Sequence, residues 1–355
     1  MVSERSKQIA NTFADLIDIY SYLKRRRIGS EIIITTYHRI SIGDDPLQFW
    51  STDVTPSGFE SQLQYLRNNY TIVPLSNLIQ YPQAHHPSST KRIAALTFDD
   101  GYKDIVTYAL PLLNKYHVPA TIFLSTGYIG SDTPFWWDNV RYAIEHTPRR
   151  VLKLGEFGEY QLDTLTQRRA TASTIIERLK KLPNESRIRV IGELLSEAGV
   201  NMPEKLVKEL ALNWEDVHRL SAAGIEVEAH SVTHSILTNM SLEEARREII
   251  ESRSDIEKQL NHPVTLFAYP NGDCSPEIVK ILREQGFVGA LTLNPVWLTS
   301  RSSPYLLGRI QLSVEDDFGL FKLRLSGVLG DYKEIPTQLK RAIRQDKFDD
   351  SWGRL

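Results

Sequence analysis

Short apolar runs that alternate with stretches of helical periodicity constrain this chain more than any other feature. The runs EIIITTYHRI (31–40), TIVPL (71–75), AALTF (94–98), ATIFLS (120–125), GIEVEAH (224–230), TLFAYP (265–270) and FVGALTL (287–293) read as strands. Among the helical stretches, PSGFESQLQYLRNNY (56–70) places Phe59, Leu63 and Leu66 on one face. SLEEARREIIESRSDIEKQL (241–260) opens with a capping box, Ser241 with Glu244. Such alternation produces a mainly parallel α/β sheet, open or closed into a barrel, and gathers functional side chains where the strands end.

The rhythm breaks between residues 131 and 213. Trp136 and Trp137 open that segment, VLKLGEFGEYQL (151–162) reads as a hairpin, and TLTQRRATASTIIERLKKL (164–182) and ESRIRVIGELLSEAG (185–199) read as helices. The expected organisation is therefore an N-terminal helix over 1–29, a barrel over 30–315 with a mainly helical insertion at about 131–213, and a charged helical tail over 316–355. A low-complexity linker, QYPQAHHPSSTK (80–91), precedes the run that ends at Phe98.

Composition excludes several function classes. With 355 residues, 41% hydrophobic and 24% charged, the chain has the make-up of a globular protein with a large core. A formal net charge of −2 lacks the basic excess of a nucleic-acid binder. Cys274 is the single cysteine, so neither an intrachain disulfide nor a thiolate metal cluster is available. There is no apolar run of membrane-spanning length, and the apolar N-terminal stretch is interrupted by Asp15 and Asp18 with its basic cluster, Lys24 to Arg27, on the wrong side for a secretion signal. A cytoplasmic location is expected. Ile9, Phe13, Leu16, Ile17, Tyr20 and Leu23 recur at helical spacing, which suits either packing on the domain or peripheral contact with an anionic membrane surface.

The chemistry starts at AALTFDDGYKD (94–104), where an apolar strand ends in two adjacent carboxylates, Asp99 and Asp100, followed by Gly101. Like charges at a buried strand end are costly unless a cation, a hydrogen-bond network or a catalytic task requires them. EVEAHSVTHS (226–235) supplies further ligands: His230 and His234 stand four apart directly after another strand. The β-branched Val232 and Thr233 between them favour a loop over a helix. Two histidines and a carboxylate form the usual set for a divalent catalytic metal with positions left open, zinc being the expected ion.

TFDDGY, HSVTHS and FAYPNG, in this order and each ending an expected strand, resemble the first three motifs of the polysaccharide deacetylase family. That family includes nodulation chitooligosaccharide deacetylases and is also called carbohydrate esterase family 4. The resemblance covers roughly residues 30–130 and 214–312, and YHRI (37–40) is similar to the opening strand of exopolysaccharide-associated members. It implies a distorted (β/α) barrel with fewer than eight strands, and a metal-dependent hydrolase that removes acetyl groups from N-acetylated sugars. Residue by residue, Asp99 matches the general base, while Asp100, His230 and His234 match the metal triad. Ser231 matches the motif's small hydroxyl residue, and Asn271, after Pro270, matches the residue whose backbone N–H holds the oxyanion.

Two departures follow. The third motif often carries an arginine that orients the base, but Ala268 stands there, which leaves Arg309 in LLGRIQL either as a substitute from a later strand or as a surface salt-bridge partner. The fifth motif's histidine acid is absent, because no histidine follows His262. Of the remaining histidines only His38 directly follows a buried strand, so it is the candidate acid, or else a group satisfying a buried polar contact. Rival functions are an amidohydrolase acting on a small cyclic amide and an inactive, glycan-binding relative.

Overall fold

Strand β1 (Ile32–Tyr37) has no solvent-facing side because both its faces are covered: all six residues, Thr35 and Thr36 included, are buried. The computed structural model describes residues 32–42, 53–80, 92–294, 303–312 and 318–326. The expected N-terminal helix and the linker at 81–91 lie outside them, as does most of the expected tail. After β1 come β2 (Arg39–Ile40), β3 (Asp53–Val54), β4 (Tyr70–Ile72), β5 (Arg92–Phe98), β6 (Thr121–Leu124), β7 (Val151–Leu154), β8 (Gly158–Gln161), β9 (Glu226–Ala229), β10 (Leu266–Ala268), β11 (Gly289–Leu291) and β12 (Ile310–Gln311).

One sheet runs β11-β10-β9-β6-β5-β1-β12, with β4 on the opening residues of β5. Every pairing in it is parallel. A single parallel bridge, Leu291 to Leu307, draws the two ends of the path together. The result is a curled, distorted (β/α) barrel whose path holds seven strands.

Side-chain alternation sorts the strands' residues between two layers. Ile33, Leu96, Ile122, Leu124 and Phe267 face outward onto Leu63, Leu66, Ile249 and Ile281 of the surrounding helices. Ile34, Ala95, Phe123, Leu266 and Leu291 face inward, where Leu75 and Leu78 of the short helix Leu75–Gln80 join them. Glu226 on β9 anchors that helix, accepting from the Leu75 backbone N–H (3.1 Å) and the Thr121 hydroxyl (2.6 Å). Two residues on, Glu228 accepts from the Thr265 and Leu266 N–H groups at 2.8 and 2.7 Å. Burial pushes its carboxyl up to about 8.

The helix after Gly101 opens as a π-helical stretch, Ile105–Ala109, before becoming α-helical over Leu110–Tyr116. Pro111 has no N–H to donate back to the preceding turn, which accounts for the local widening. The insertion comprises the β7–β8 hairpin and the helices Trp136–His146, Leu165–Leu179, Asn184–Ala198 and Glu204–Leu210. It has its own core, built on Ile144, Leu152, Ile175, Leu179 and Leu194. In the C-terminal segment the helix Phe318–Ser326 buries Phe321 and Leu325 in the barrel's outer core. Among the described residues no helix is long and apolar enough to cross a membrane.

Candidate active site

The carboxyl ends of β1, β5, β9 and β10 converge on a cavity of about 180 Å³. Asp99 continues the line of β5, donating its N–H to the Tyr37 carbonyl (3.0 Å), and it is fully buried. Arg309, equally buried, grips it through two parallel bonds, Nη1 to Oδ1 at 2.6 Å and Nη2 to Oδ2 at 2.7 Å. The guanidinium is itself steadied by the hydroxyls of Thr36 and Thr97 and by the Thr292 carbonyl, each at 3.3 Å. Burial alone would raise the Asp99 carboxyl, but Arg309 and the neighbouring histidines outweigh it and hold it below its ordinary range.

Consecutive residues on a strand face opposite ways, yet Asp99 and Asp100 line the same cavity. The chain achieves this by leaving the strand at Asp100, with φ +75°, and turning at Gly101, with φ +102°. Glycine suits that left-handed angle, and an added Cβ would also press on the Ile129 Cδ1 methyl at 2.8 Å.

Asp100 Oδ1 lies 3.5 Å from His230 Nε2 and 3.3 Å from His234 Nε2. His230 Nδ1 donates to the Ala268 carbonyl at 2.7 Å, which fixes the proton on Nδ1 and leaves the Nε2 lone pair facing Asp100. His234 sits on a loop, as Val232 and Thr233 predict, at φ +51°. That loop is tied down by Glu248 of the helix Leu242–Leu260, which accepts from the N–H groups of Val232 (2.8 Å) and Thr233 (2.9 Å) and from the Thr233 hydroxyl (2.6 Å). Ser231, also at positive φ, uses its carbonyl to accept from Thr126 N–H.

The donor set fits a divalent cation. The ligand atoms lie within 4.8 Å of one another, and Asp100 Oδ1 is buried with no hydrogen-bond partner. Burial holds both histidines below their ordinary pKa, in the neutral form that binds metal, while burial and the Asp99 charge drive the Asp100 carboxyl well up.

His38, just past β1, lines the same cavity with Nε2 4.0 Å from Asp99 Oδ2; burial lowers its pKa to about 4. Asn271 lines it too, in the turn Pro270–Gly272 at φ +59°. The seven site residues named from sequence thus all stand in or against one cavity, Arg309 through its clamp on Asp99. The insertion contributes as well, with Trp136 and Trp137, which the sequence offers either as indoles for stacking on a sugar or as buried anchors, both lining the cavity. Trp137 lies with its ring 4.5 Å from His234 and donates Nε1 to Tyr102 Oη (2.7 Å), which donates in turn to buried Asp138 (2.7 Å). Tyr102 adjoins the Asp-Asp-Gly turn and was findable there; its partner, 36 residues away, had no spacing signal.

Fold and rim together define a class: curled (β/α) barrels whose strand ends carry an Asp-His-His set able to hold a divalent cation. A family model described as polysaccharide deacetylase matches residues 86–290. The chain belongs to the polysaccharide deacetylase family and is a hydrolase of carbon–nitrogen bonds in N-acetylated sugars. It is similar to YxkH of Bacillus subtilis, described as a polysaccharide deacetylase, at 22% identity over 83% of this chain and 76% of that one. A poly-beta-1,6-N-acetyl-D-glucosamine N-deacetylase of Staphylococcus epidermidis is 35% identical over 27% of this chain and 36% of its own length. Among solved structures, the Streptococcus pyogenes deacetylase PplD superposes with a TM-score of 0.56 at 18% identity, covering 83% of this chain and 98% of that one. IcaB from Ammonifex degensii gives 0.54 at 16% identity, covering 84% and 98%. These two likenesses show a common fold.

Proposed function

We propose that the chain removes acetyl groups from N-acetylglucosamine units of an exopolysaccharide or its precursor, with one divalent cation, zinc, held by Asp100, His230 and His234. What carries this function is the contrast between adjacent aspartates: Asp99 is clamped by Arg309, whereas Asp100 Oδ1 faces two histidine nitrogens and has no hydrogen-bond partner. Zinc bound there supplies polarisation of the acetyl carbonyl and acidification of a water.

The protein's own groups do the rest. Asp99 accepts the water's proton, and Arg309 keeps the carboxylate ionised and aimed for that transfer. A carboxyl held this acidic is a weak base that gives the proton up again readily. His38, neutral and 4.0 Å from Asp99, is placed to carry it to the leaving nitrogen after a movement of about an ångström. The Asn271 backbone N–H, in its turn at the cavity wall, stabilises the developing oxyanion. The names of the staphylococcal relatives make a β-1,6-linked N-acetylglucosamine polymer the first substrate to try.

Acetate release from β-1,6-linked N-acetylglucosamine oligomers, chitooligosaccharides and a small cyclic amide tests this directly. The expected result is release from the oligomers, abolished by a chelator and restored by zinc. Turnover of the cyclic amide alone, or release indifferent to chelation, overturns it.

A further inference from the structure

The insertion supplies one wall of the catalytic cavity, and two polar groups on that wall have no part in the hydrolysis. Trp136 Nε1 is buried with no hydrogen-bond partner. Lys180, the C-cap of the helix Leu165–Leu179, lines the same cavity. An indole N–H and an ammonium are donors only, so whatever these two groups bond must be an acceptor.

Lys180 is held there. Its carbonyl accepts from Asn239 Nδ2 at 2.6 Å, and Arg187 on the following helix donates to Ser235 Oγ at 2.9 Å. Asn239 and Ser235 both belong to the segment that carries His230 and His234, so the insertion's turn is fixed to the ligand loop. Among the described residues the ion-pair partner of Lys180 is Glu177 at 2.7 Å, whose side chain is 64% exposed. Such a pair is screened by water and contributes little, and the ammonium keeps donors to spare.

A count of charge around the cavity points the same way. Among the described residues lining it, the only carboxylates are Asp99 and Asp100. Asp99 is neutralised by Arg309, and Arg39 is paired with Asp104. A divalent cation on Asp100 leaves a surplus of positive charge facing Lys180's wall. Phosphate and carboxylate oxygens are the acceptors that best match charged and unpartnered donors. Resting on the deacetylase function above, we propose that Lys180 and Trp136 Nε1 form an anion-recognising wall, selecting N-acetylated sugars that carry a phosphate or carboxylate close to the acetamide.

Calorimetric binding to the zinc-loaded full chain is measured with N-acetylglucosamine 1-phosphate, a disaccharide of N-acetylglucosamine and glucuronate, and neutral methyl N-acetylglucosaminide, with acetate release followed in parallel. At least one anionic probe binds about tenfold more tightly than the neutral one. Which one identifies the anion. Lys180→Arg retains the preference, Trp136→Phe lowers it, and Lys180→Glu inverts it. Equal affinity for all probes, no binding of any, or a preference that survives Lys180→Glu overturns the proposal. An anion preference lost in Lys180→Glu, with no acetate released from any probe or from the oligomers above, upholds the wall and overturns the deacetylase function instead.

Discussion

Asp99 and Asp100 adjoin in sequence and differ in what surrounds them: a guanidinium on one, two imidazoles on the other. Asp99→Asn keeps the shape and removes the base, so metal content stays at one equivalent while kcat falls at least ~10²-fold. Elemental analysis beside steady-state kinetics checks this, and loss of the metal would mean that the roles are exchanged. Arg309→Met removes the clamp and strands a buried carboxylate, which costs about 3–5 kcal/mol of stability, read as a lower denaturation midpoint. The proton's exit is tested by His38→Ala, which slows amide substrates more than activated aryl acetates, whose leaving group needs no proton; equal losses on both remove His38 from that step. The carboxylate pair and the two histidines were legible in the sequence because each lies within a few residues of a strand end. Arg309 was named there only as one of two alternatives, since 210 residues separate it from Asp99 and no spacing rule spans that distance.

At the scale of elements, the longer strands and long helices were readable from apolar runs and period, because each buries one face or two, whereas the two-residue β3 was not. Two insertion helices were not either. Trp136–His146 turns Trp137 towards Tyr102 and His234 but Val140 and Ile144 into the insertion's core, so its apolar residues form no single stripe. Glu204–Leu210 is seven residues long and buries only Val207 and Leu210. The π-helical opening at Ile105–Ala109 was invisible for a related reason, since Pro111 fits the start of an α-helix equally well. The helix Leu242–Leu260 shows how an element far from the chemistry governs it. Through Glu248 it holds the loop between His230 and His234, where two residues take left-handed backbone angles. Glu248→Ala releases that loop and weakens zinc affinity about 10–100-fold while the barrel stays folded, as measured by competition with a chromophoric chelator. Unchanged affinity would show that the packing of Ser231 and Trp137 suffices.

Across the whole molecule the barrel's interior buries groups whose titrations oppose one another. Along β9 the inward positions run Glu226, Glu228, His230, from the end plugged by the helix Leu75–Gln80 to the open rim. In metal-free protein burial holds His38 at about 4, and His230 and His234 below the ordinary 6.5. As pH falls through 6.5 the unfolded chain takes up protons that the fold refuses, and stability declines. Burial also lifts Glu228 from 4.5 to about 8 and drives Asp100 well up. As pH rises through that window the unfolded chain has released protons that the fold retains, and stability declines again. Each shifted group contributes a slope of about 1.4 kcal/mol per pH unit inside its window. Below 6.5 three histidines oppose two carboxylates; above it the carboxylates act alone. Chelated protein is therefore most stable near pH ~6.5 and declines on both sides. Glu228→Gln, whose amide oxygen still accepts from Thr265 and Leu266, lessens the alkaline decline and steepens the acid one. Zinc at saturation takes Asp100, His230 and His234 out of the titration, raising the melting temperature most at alkaline pH, where only Glu228 is left to act. Melting temperatures at pH 5, 6.5 and 8, with chelator and with zinc, read all of this, and a monotonic rise from pH 5 to 8 in the chelated protein would show that the buried carboxylates ionise freely within the fold.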